Sequence, residues 1–342
     1  MTTQTWSALL QQLIDRRSLT AAQAQTLMSG WLATEISPEL SGAILAAWQC
    51  KGVDAVELAA IAGVLQDSCL GQAFPMDIPL LDTCGTGGDG ANTFNISTGV
   101  AFVTAAAGVK VAKHGNRAVS SKSGSADVLE ALDINIGAPT EKIHGAIASI
   151  GITFLFAPHW HPAMKAVAPI RKNLGIRTIF NLIGPLVNPL LPTTQILGVY
   201  DRSLIKTVAE TLKILGRRSA VVLHSREGMD EAGLADITDI AFLHSDGEIT
   251  IETINPEDLG LAYATIDDLK GGTVSDNAEI LKNILKGHGT IAQRDCLALN
   301  AGIALRVSGI CDRWEDGINL ARTIIDDGAA WQKLEALSQF LK

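Results

Sequence analysis

The apolar pattern changes character near Pro75, and this change constrains the fold more than any other feature of the sequence. Before it, no strand pattern occurs. Trp6, Leu9, Leu10, Leu13 and Ile14 recur at helical spacing. Ser18 and Thr20 offer starts for a second helix, AAQAQTLMSGWL. Ser37-Pro38 opens a third, ELSGAILAAWQCKG, with Gly52 as its stop, and Val56 to Leu70 reads as a fourth. After Pro75, short apolar runs alternate with helical ones. IPLLDT, VKVAK, GITFLFAP, QILGVYD and AVVLHS read as buried strands, while Ile96 to Ala107, SADVLEAL and SLIKTVAETLKIL read as helices. AFLHSDGEITIETI has the pattern of a hairpin turning at Asp246-Gly247. The chain then returns to helical patterns, including GTIAQRDCLALNAGIALRV and WQKLEALSQFLK. Strands alternating with helices build a mostly parallel sheet covered on both faces. The expected fold class is therefore α/β: a small N-terminal helical domain plus a larger α/β domain with a mostly parallel central sheet flanked by helices.

A length of 342 residues suits two domains. Aromatics are only 5% against 47% hydrophobic residues, so the core must be built mostly from Ala, Leu, Ile and Val. The net charge of −9 speaks against non-specific binding to nucleic acid or an anionic membrane, which needs a basic surface. It leaves room for an anionic small substrate, because a local pocket can oppose the global charge. Cys50, Cys69, Cys84, Cys296 and Cys311 are scattered, odd in number and form no CxxC, which reads as reduced thiols in a cytoplasmic protein without structural zinc. The first residues read as a helix and not as a signal peptide, and no apolar run is long enough to span a membrane.

Four segments carry chemistry. The first, DTCGTGGDGANTFNISTG (82–99), places glycines between a strand and a helix. Glycines let backbone approach a ligand closely, Asn95 to Thr98 suit an N-cap, and a helix start presents unpaired N–H groups to an anion. The spacing is neither a GxxxxGK[ST] loop nor GxGxxG. The second, KHGNRAVSSKSGSADVLEAL (113–132), interleaves Lys113, His114, Arg117 and Lys122 with Gly and Ser after a strand. Four basic groups on one loop of an acidic protein read as a local anion site; the plainer alternative is a solvated surface loop. The third is Asp230-Glu231, in HSREGMDEAG at a strand end. Adjacent carboxylates there suit Mg²⁺, which prefers oxygen ligands, and a polyphosphate substrate would bring that ion with it; paired acids are also common on ordinary surfaces. The fourth, PIRKNLGIRTIFNLIGPLVNP (169–189), offers Arg171, Lys172 and Arg177 before an apolar stretch, either to bind a carboxylate or to start a link. His159 and His161 upstream lack a third metal ligand and read as packing or pocket-lining groups.

In this order and spacing, GTGGDG, NIST, KHGNRAVSS, GSADVLEAL, RTIFNLIGPLVNP and GMDE resemble the anthranilate phosphoribosyltransferase family, within the two-domain group that also holds nucleoside phosphorylases. The resemblance runs over most of the chain. It implies a helical domain of residues 1–75 with about 164–190, an α/β domain of 76–163 with 191–342, and a homodimer formed through the helical domain. It implies transfer of phosphoribosyl from phosphoribosyl pyrophosphate to anthranilate in tryptophan biosynthesis, with Mg²⁺, two ions accompanying the bound substrate. By motif, Gly85, Gly88, Asp89, Thr93, Asn95, Ile96, Ser97, Thr98, Lys113, His114, Gly115, Asn116, Arg117, Ala118, Val119, Ser120, Ser121 and Ser125 would contact phosphoribosyl pyrophosphate. Ser97, Asp230 and Glu231 would bind metal. Gly85, Asn116 and Arg171 would contact anthranilate, with His114 close by. Two places depart from the commoner pattern: Asp133 stands where Gly often follows EAL, and Ala232-Gly233 follow the acid pair where larger residues are frequent. No general base and no Ser-His-Asp arrangement is readable, so no covalent intermediate is expected. Two rivals remain: a nucleoside phosphorylase of related fold, which a phosphorolysis assay would reveal, and a non-catalytic nucleic-acid-binding relative, which the net charge opposes.

Overall fold

The computed structural model describes residues 3–69, 78–118 and 122–342. The N-terminal helices α1 (Thr3–Ile14), α2 (Ala21–Leu32), α3 (Pro38–Lys51) and α4 (Ala55–Asp67) follow the expected order. Their ends are set by local chemistry. The Thr20 hydroxyl accepts from Gln23 N while the Gln23 side chain accepts from Thr20 N, a reciprocal cap at α2. Ser37 caps α3, Pro38 fills its first position, and Gly52 ends it at φ +89°. Asp54 opens α4, one residue before the apolar pattern suggests. Leu70 and Pro75 lie outside the described residues.

The strands β1 (Leu81–Gly85), β2 (Val111–Gly115), β3 (Ile152–Phe156), β4 (Thr194–Gly198), β5 (Ser219–Ser225), β6 (Thr238–Leu243) and β7 (Ile249–Ile254) form a single sheet in the order β3-β2-β1-β4-β5-β6-β7. The first five are parallel, and the expected hairpin supplies two antiparallel strands, of which β7 is the edge. The IPLLDT run starts its strand only at Leu81, because Pro79 has no N–H to donate to a ladder. The helices that follow the strands are α5 (Ile96–Ala106), α6 (Ser125–Ala131), α7 (Thr140–Ser149), α8 (Ala157–Trp160), α9 (Ala168–Leu174), α10 (Phe180–Ile183) and α11 (Leu204–Ile214). Four more, α12 (Val274–Leu285), α13 (Ile291–Val307), α14 (Trp314–Asp326) and α15 (Ala329–Leu341), close the chain.

Two apolar cores result, and the period of two along the strands divides residues between them. Ile196, Val221, Leu223, Ile240 and Phe242 face a core shared with α5 and α13. Their neighbours Leu197, Val199, Ala220, Val222, Ala241 and Leu243 face the opposite side, in a core shared with Trp31, Trp48 and Leu58 of the N-terminal helices. Val167, Phe180, Ile183 and Val187 join that second core. The helical bundle is thus a cover on one face of the sheet.

Strands β1, β2 and β3 run outward in one direction, and β4 returns to the other side of β1. Loops leaving β1 and β4 therefore diverge, and the crevice outside the carboxyl ends of such strands is where open α/β sheets bind ligands.

Candidate active site

The glycine segment leaves β1 at this divergence. Gly87, Gly88 and Gly90 hold φ of +63°, +77° and +85°, conformations L side chains resist. Gly85 is needed for another reason: a Cβ there would collide with the Asp230 carboxylate, and one at Gly198 would collide with the Asp230 main chain. These two glycines admit the acid pair to the strand ends. Gly87 N donates to Asp230 Oδ2 at 2.7 Å, and Asp230 N donates to Asp89 Oδ2 at 3.2 Å. Carboxylate oxygens of Asp89, Asp230 and Glu231 all lie within 4.8 Å of one another.

Burial, then the charge of Asp89, raises the Asp230 carboxyl to about 6. Burial, then the charge of Asp230, pushes Glu231 well up. Three acids gathered so closely disfavour one another's ionised forms unless a cation joins them. This donor set is all oxygen, as Mg²⁺ prefers. Asn300 braces the turn that carries the pair, its Oδ1 accepting from Ala232 N and its Nδ2 donating to Ala232 O, each at 2.9 Å.

Helix α5 begins directly after the loop. Asn95 stands at its N-cap but makes no side-chain capping bond, contrary to the reading of that segment as a capped start. Its Oδ1 instead accepts from the Ser123 hydroxyl at 3.4 Å, which ties the two anion loops together. Of the first-turn amides of α5, Ile96 N donates to Phe94 O at 2.7 Å and Thr98 N to Asn95 O at 3.1 Å, which leaves Ser97 N for another acceptor. Ser97 Oγ accepts from Lys113 Nζ at 3.2 Å, and the same ammonium donates to Thr83 O. Lys113 is 3% exposed and makes no ion pair among the described residues. Burial lowers its pKa, and the nearby charges of Asp82, Glu231 and Asp230 oppose that. Thr98 is buried beside it in the same turn, and Thr93 bridges to Lys270.

The second loop leaves β2. His114 Nδ1 donates to Gly184 O at 3.2 Å, which places the proton of the neutral ring on Nδ1. Burial, then the adjacent His161, holds this imidazole at about 3. Gly115 leaves room for Ser125, whose hydroxyl donates to Asn116 O at 3.4 Å. Asp127 closes the loop by accepting from Ala118 N and Gly124 N at 3.1 and 3.0 Å. Arg117 is exposed and already paired with Asp127 and Glu130, at 2.8 and 2.5 Å. Val119, Ser120 and Ser121 lie outside the described residues. Arg171 on α9 is half-buried, with its guanidinium 5.9 Å from the centre of the Phe180 ring and no carboxylate partner among the described residues. Arg177, one of the three cations read as binding a carboxylate or starting a link, donates to Gly88 O at 3.3 Å and stacks on Tyr200 at 4.4 Å.

The structure thus brings Gly85, Asp89, Ser97, Lys113, Asp230 and Glu231 to one end of the sheet, with His114 to Ala118 and Ser123 to Ser125 beside them. A groove on the bundle lined by Trp6, Gln25, Ser29 and Ala33 contains no cation and does not share this chemistry.

A two-domain glycosyl transferase is the class this fold and site define. The profile of the glycosyl transferase family a/b domain matches residues 77–331, and that of its helical bundle domain matches residues 7–69. Anthranilate phosphoribosyltransferase of Trichodesmium erythraeum is 59% identical, covering 98% of this chain and 97% of its own. The enzyme of that name from Synechococcus elongatus is 58% identical, covering 98% and 96%. The crystal structure of the Thermus thermophilus anthranilate phosphoribosyltransferase superposes with a TM-score of 0.89 at 38% identity, covering 97% of this chain and 99% of that one. The Saccharomyces cerevisiae enzyme in complex with PRPP and Mg superposes with a TM-score of 0.88 at 25% identity, covering 99% and 98%. This chain belongs to the anthranilate phosphoribosyltransferase family.

Proposed function

We propose that this chain transfers the 5-phosphoribosyl group of phosphoribosyl pyrophosphate to the amine of anthranilate, releasing pyrophosphate, the second step of tryptophan biosynthesis from chorismate. The observation that carries this reading is the meeting of Asp89, Asp230 and Glu231 at the glycine loop. Those carboxylates, with Ser97, would hold magnesium, and two ions accompany the bound substrate in this reading. Magnesium supplies charge neutralisation for the departing pyrophosphate. The start of α5, through Ser97 N, and the Gly87–Gly88 turn would face the phosphates. Lys113 offers a preorganised cation beneath them. The described part of the second loop, Lys113 to Ala118 with Ser125, would line the ribose and phosphate side.

Gly85, His114, Asn116 and Arg171 form the anthranilate side. Arg171 is the cation for the carboxylate, because no acid of the described chain claims it. A ring held near 3 is neutral at pH 7 and only weakly basic, so His114 lines the pocket and does not abstract a proton. The amine is itself a neutral nucleophile, and placement over the ribose carbon does the work that activation would otherwise do. No enzyme-bound covalent intermediate is needed. Changing Arg171 to Ala should raise KM for anthranilate about thirtyfold, the loss of a charge-assisted contact, and leave KM for phosphoribosyl pyrophosphate near its original value. Equal effects on both would remove the assignment.

The same reading divides the chain into a helical unit of 1–75 with about 164–190 and an α/β unit of 76–163 with 191–342. The core that Val167, Phe180 and Ile183 share with α2, α3 and α4 supports it. It also makes the protein a cytoplasmic homodimer, joined through the helical unit. No helix among the described residues is long and apolar enough to cross a membrane. Anthranilate fluorescence provides the assay: it should fall only when protein, phosphoribosyl pyrophosphate and Mg²⁺ are all present. Phosphate-dependent cleavage of a nucleoside, with no loss of anthranilate, would point to a phosphorylase.

A further inference from the structure

Strands β1 and β2 are neighbours, yet they pair at a single register point, Leu81 with Val111. The other flanks of the same two strands pair along their full length, β1 with β4 and β2 with β3. A regular parallel ladder would next join Thr83 to Ala112 and His114. In this protein side chains occupy those positions. Asp82 Oδ1 accepts from His114 N at 3.1 Å. Asp82 Oδ2 accepts from Asn188 Nδ2 at 2.9 Å. The second hydrogen of that amide goes to Ala112 O at 2.7 Å, and Asn188 Oδ1 accepts from Leu190 N at 3.0 Å. Thr83 O, the remaining acceptor, takes the Lys113 ammonium. Asp82 and Asn188 are both fully buried.

A buried carboxylate is costly where a main-chain rung would serve, so this substitution needs a reason. The reason is geometric. Main-chain rungs hold neighbouring strands about 4.8 Å apart, and the loops leaving β1 and β2 carry the glycine turn and the His114–Asn116 turn. Inserting a carboxylate and an amide between the strands lets their carboxyl ends splay. It also pins the opening to the segment 184–188, whose Gly184 and Val187 carbonyls accept from His114 and His161.

We propose that Asp82 is a positioning residue: with Asn188 it replaces the missing rungs between β1 and β2 and so sets the separation of the two substrate loops. It touches no reacting atom. The proposal rests on the phosphoribosyl transfer described above.

The test uses the full chain and three variants. In Asp82→Asn one of the two acceptors is lost, and the new NH2 faces either His114 N or the Asn188 amide, donor against donor. In Asn188→Asp two carboxylates meet. The exchanged pair, Asp82→Asn with Asn188→Asp, restores donor to acceptor between the side chains but turns a carboxylate oxygen toward Ala112 O, so its recovery is partial. At temperatures where each protein is folded, kcat of either single variant should fall about tenfold to a hundredfold, the scale of misplacement in a reacting complex. The exchanged pair should recover about threefold or more over the better single variant, the coupling expected of groups in contact. Hydrogen exchange in the 112–117 segment should quicken in the single variants and slow again in the pair. If Asp82→Asn does not fold, Asn188→Ala, which creates no like-for-like contact, should still lower kcat. Wild-type kcat in folded single variants, with exchange in 112–117 unchanged, overturns the proposal. Absence of any transfer by the wild-type chain would instead overturn the functional reading, and the exchange measurement would still judge Asp82.

Discussion

Two buried acid centres in this protein have opposite surroundings. Glu57, on α4 of the bundle, is inaccessible to solvent and accepts from Leu19 N, Trp48 Nε1, Lys51 Nζ and Asp54 N at 2.6 to 3.0 Å. Its charge is matched by a lysine side chain that is itself 5% exposed. At the strand ends, Asp89, Asp230 and Glu231 face one another, with a few main-chain donors and a buried lysine nearby. The first centre is complete within the chain. The second is short of positive charge. A saturated buried carboxylate staples helices together, whereas a crowded one is held ready for something the chain does not contain.

The contrast can be broken first at the crowded centre. An Asp230→Asn, Glu231→Gln double variant should lose Mg²⁺-dependent turnover by about a thousandfold, the scale of lost electrostatic stabilisation at a reacting centre. Its melting temperature without metal should not fall, since repulsion is removed. Retained turnover would dissolve the contrast. The reverse signature belongs to Glu57. Changing it to Ala strands Lys51 and several donors and should cost about 3 to 5 kcal/mol in urea unfolding, while kcat of the folded fraction stays near wild type. A loss of kcat without a loss of stability would contradict the division.

A third prediction sharpens it through pH. The His114 ring is depressed from 6.5 to about 3 by burial. A histidine of this kind contributes stability that is complete above its unfolded value and is lost as pH falls from 6.5 toward 3. Urea midpoints should therefore decline between pH 6.5 and 4, and less steeply in His114→Asn, which keeps a donor for Gly184 O. Parallel declines in both proteins would show that His114 carries none of the effect. The smallest effect is expected at Asp133, where φ is +62°. Gly at this position relieves the left-handed strain and adds chain entropy on unfolding, so Asp133→Gly should stabilise by less than about 1 kcal/mol. A melting-temperature fall would mean that the aspartate makes a compensating contact.

Much of this was legible before any coordinates. Helical spacing and the stop and start residues Thr20, Ser37 and Gly52 place the bundle, because capping acts within a few residues of chain. The glycine turn stands out by composition, since close backbone approach demands particular residues, whereas the acid pair gains meaning only beside the two anion loops. What pattern could not reveal depends on partners far away in sequence. Asp82 looks like any strand residue until Asn188 meets it from 106 positions along the chain. Glu57 looks like an ordinary helix acid until α3 and the segment between α1 and α2 bring donors to it. Asn95 reads as a cap, and only the approach of Ser123 shows its side chain otherwise engaged. Asn300 gives no sign in α13 that it clamps the turn after the acid pair.

The central claim is that the crowded acids await a cation carried with a diphosphate ester. Calorimetric titration of phosphoribosyl pyrophosphate into the wild-type protein, with and without Mg²⁺, tests it most directly. Binding should tighten at least about tenfold with Mg²⁺, as expected when a cation neutralises both partners, and this gain should vanish in the Asp230→Asn, Glu231→Gln variant. Equal affinity with and without the ion, or an undiminished gain in the variant, would contradict the account.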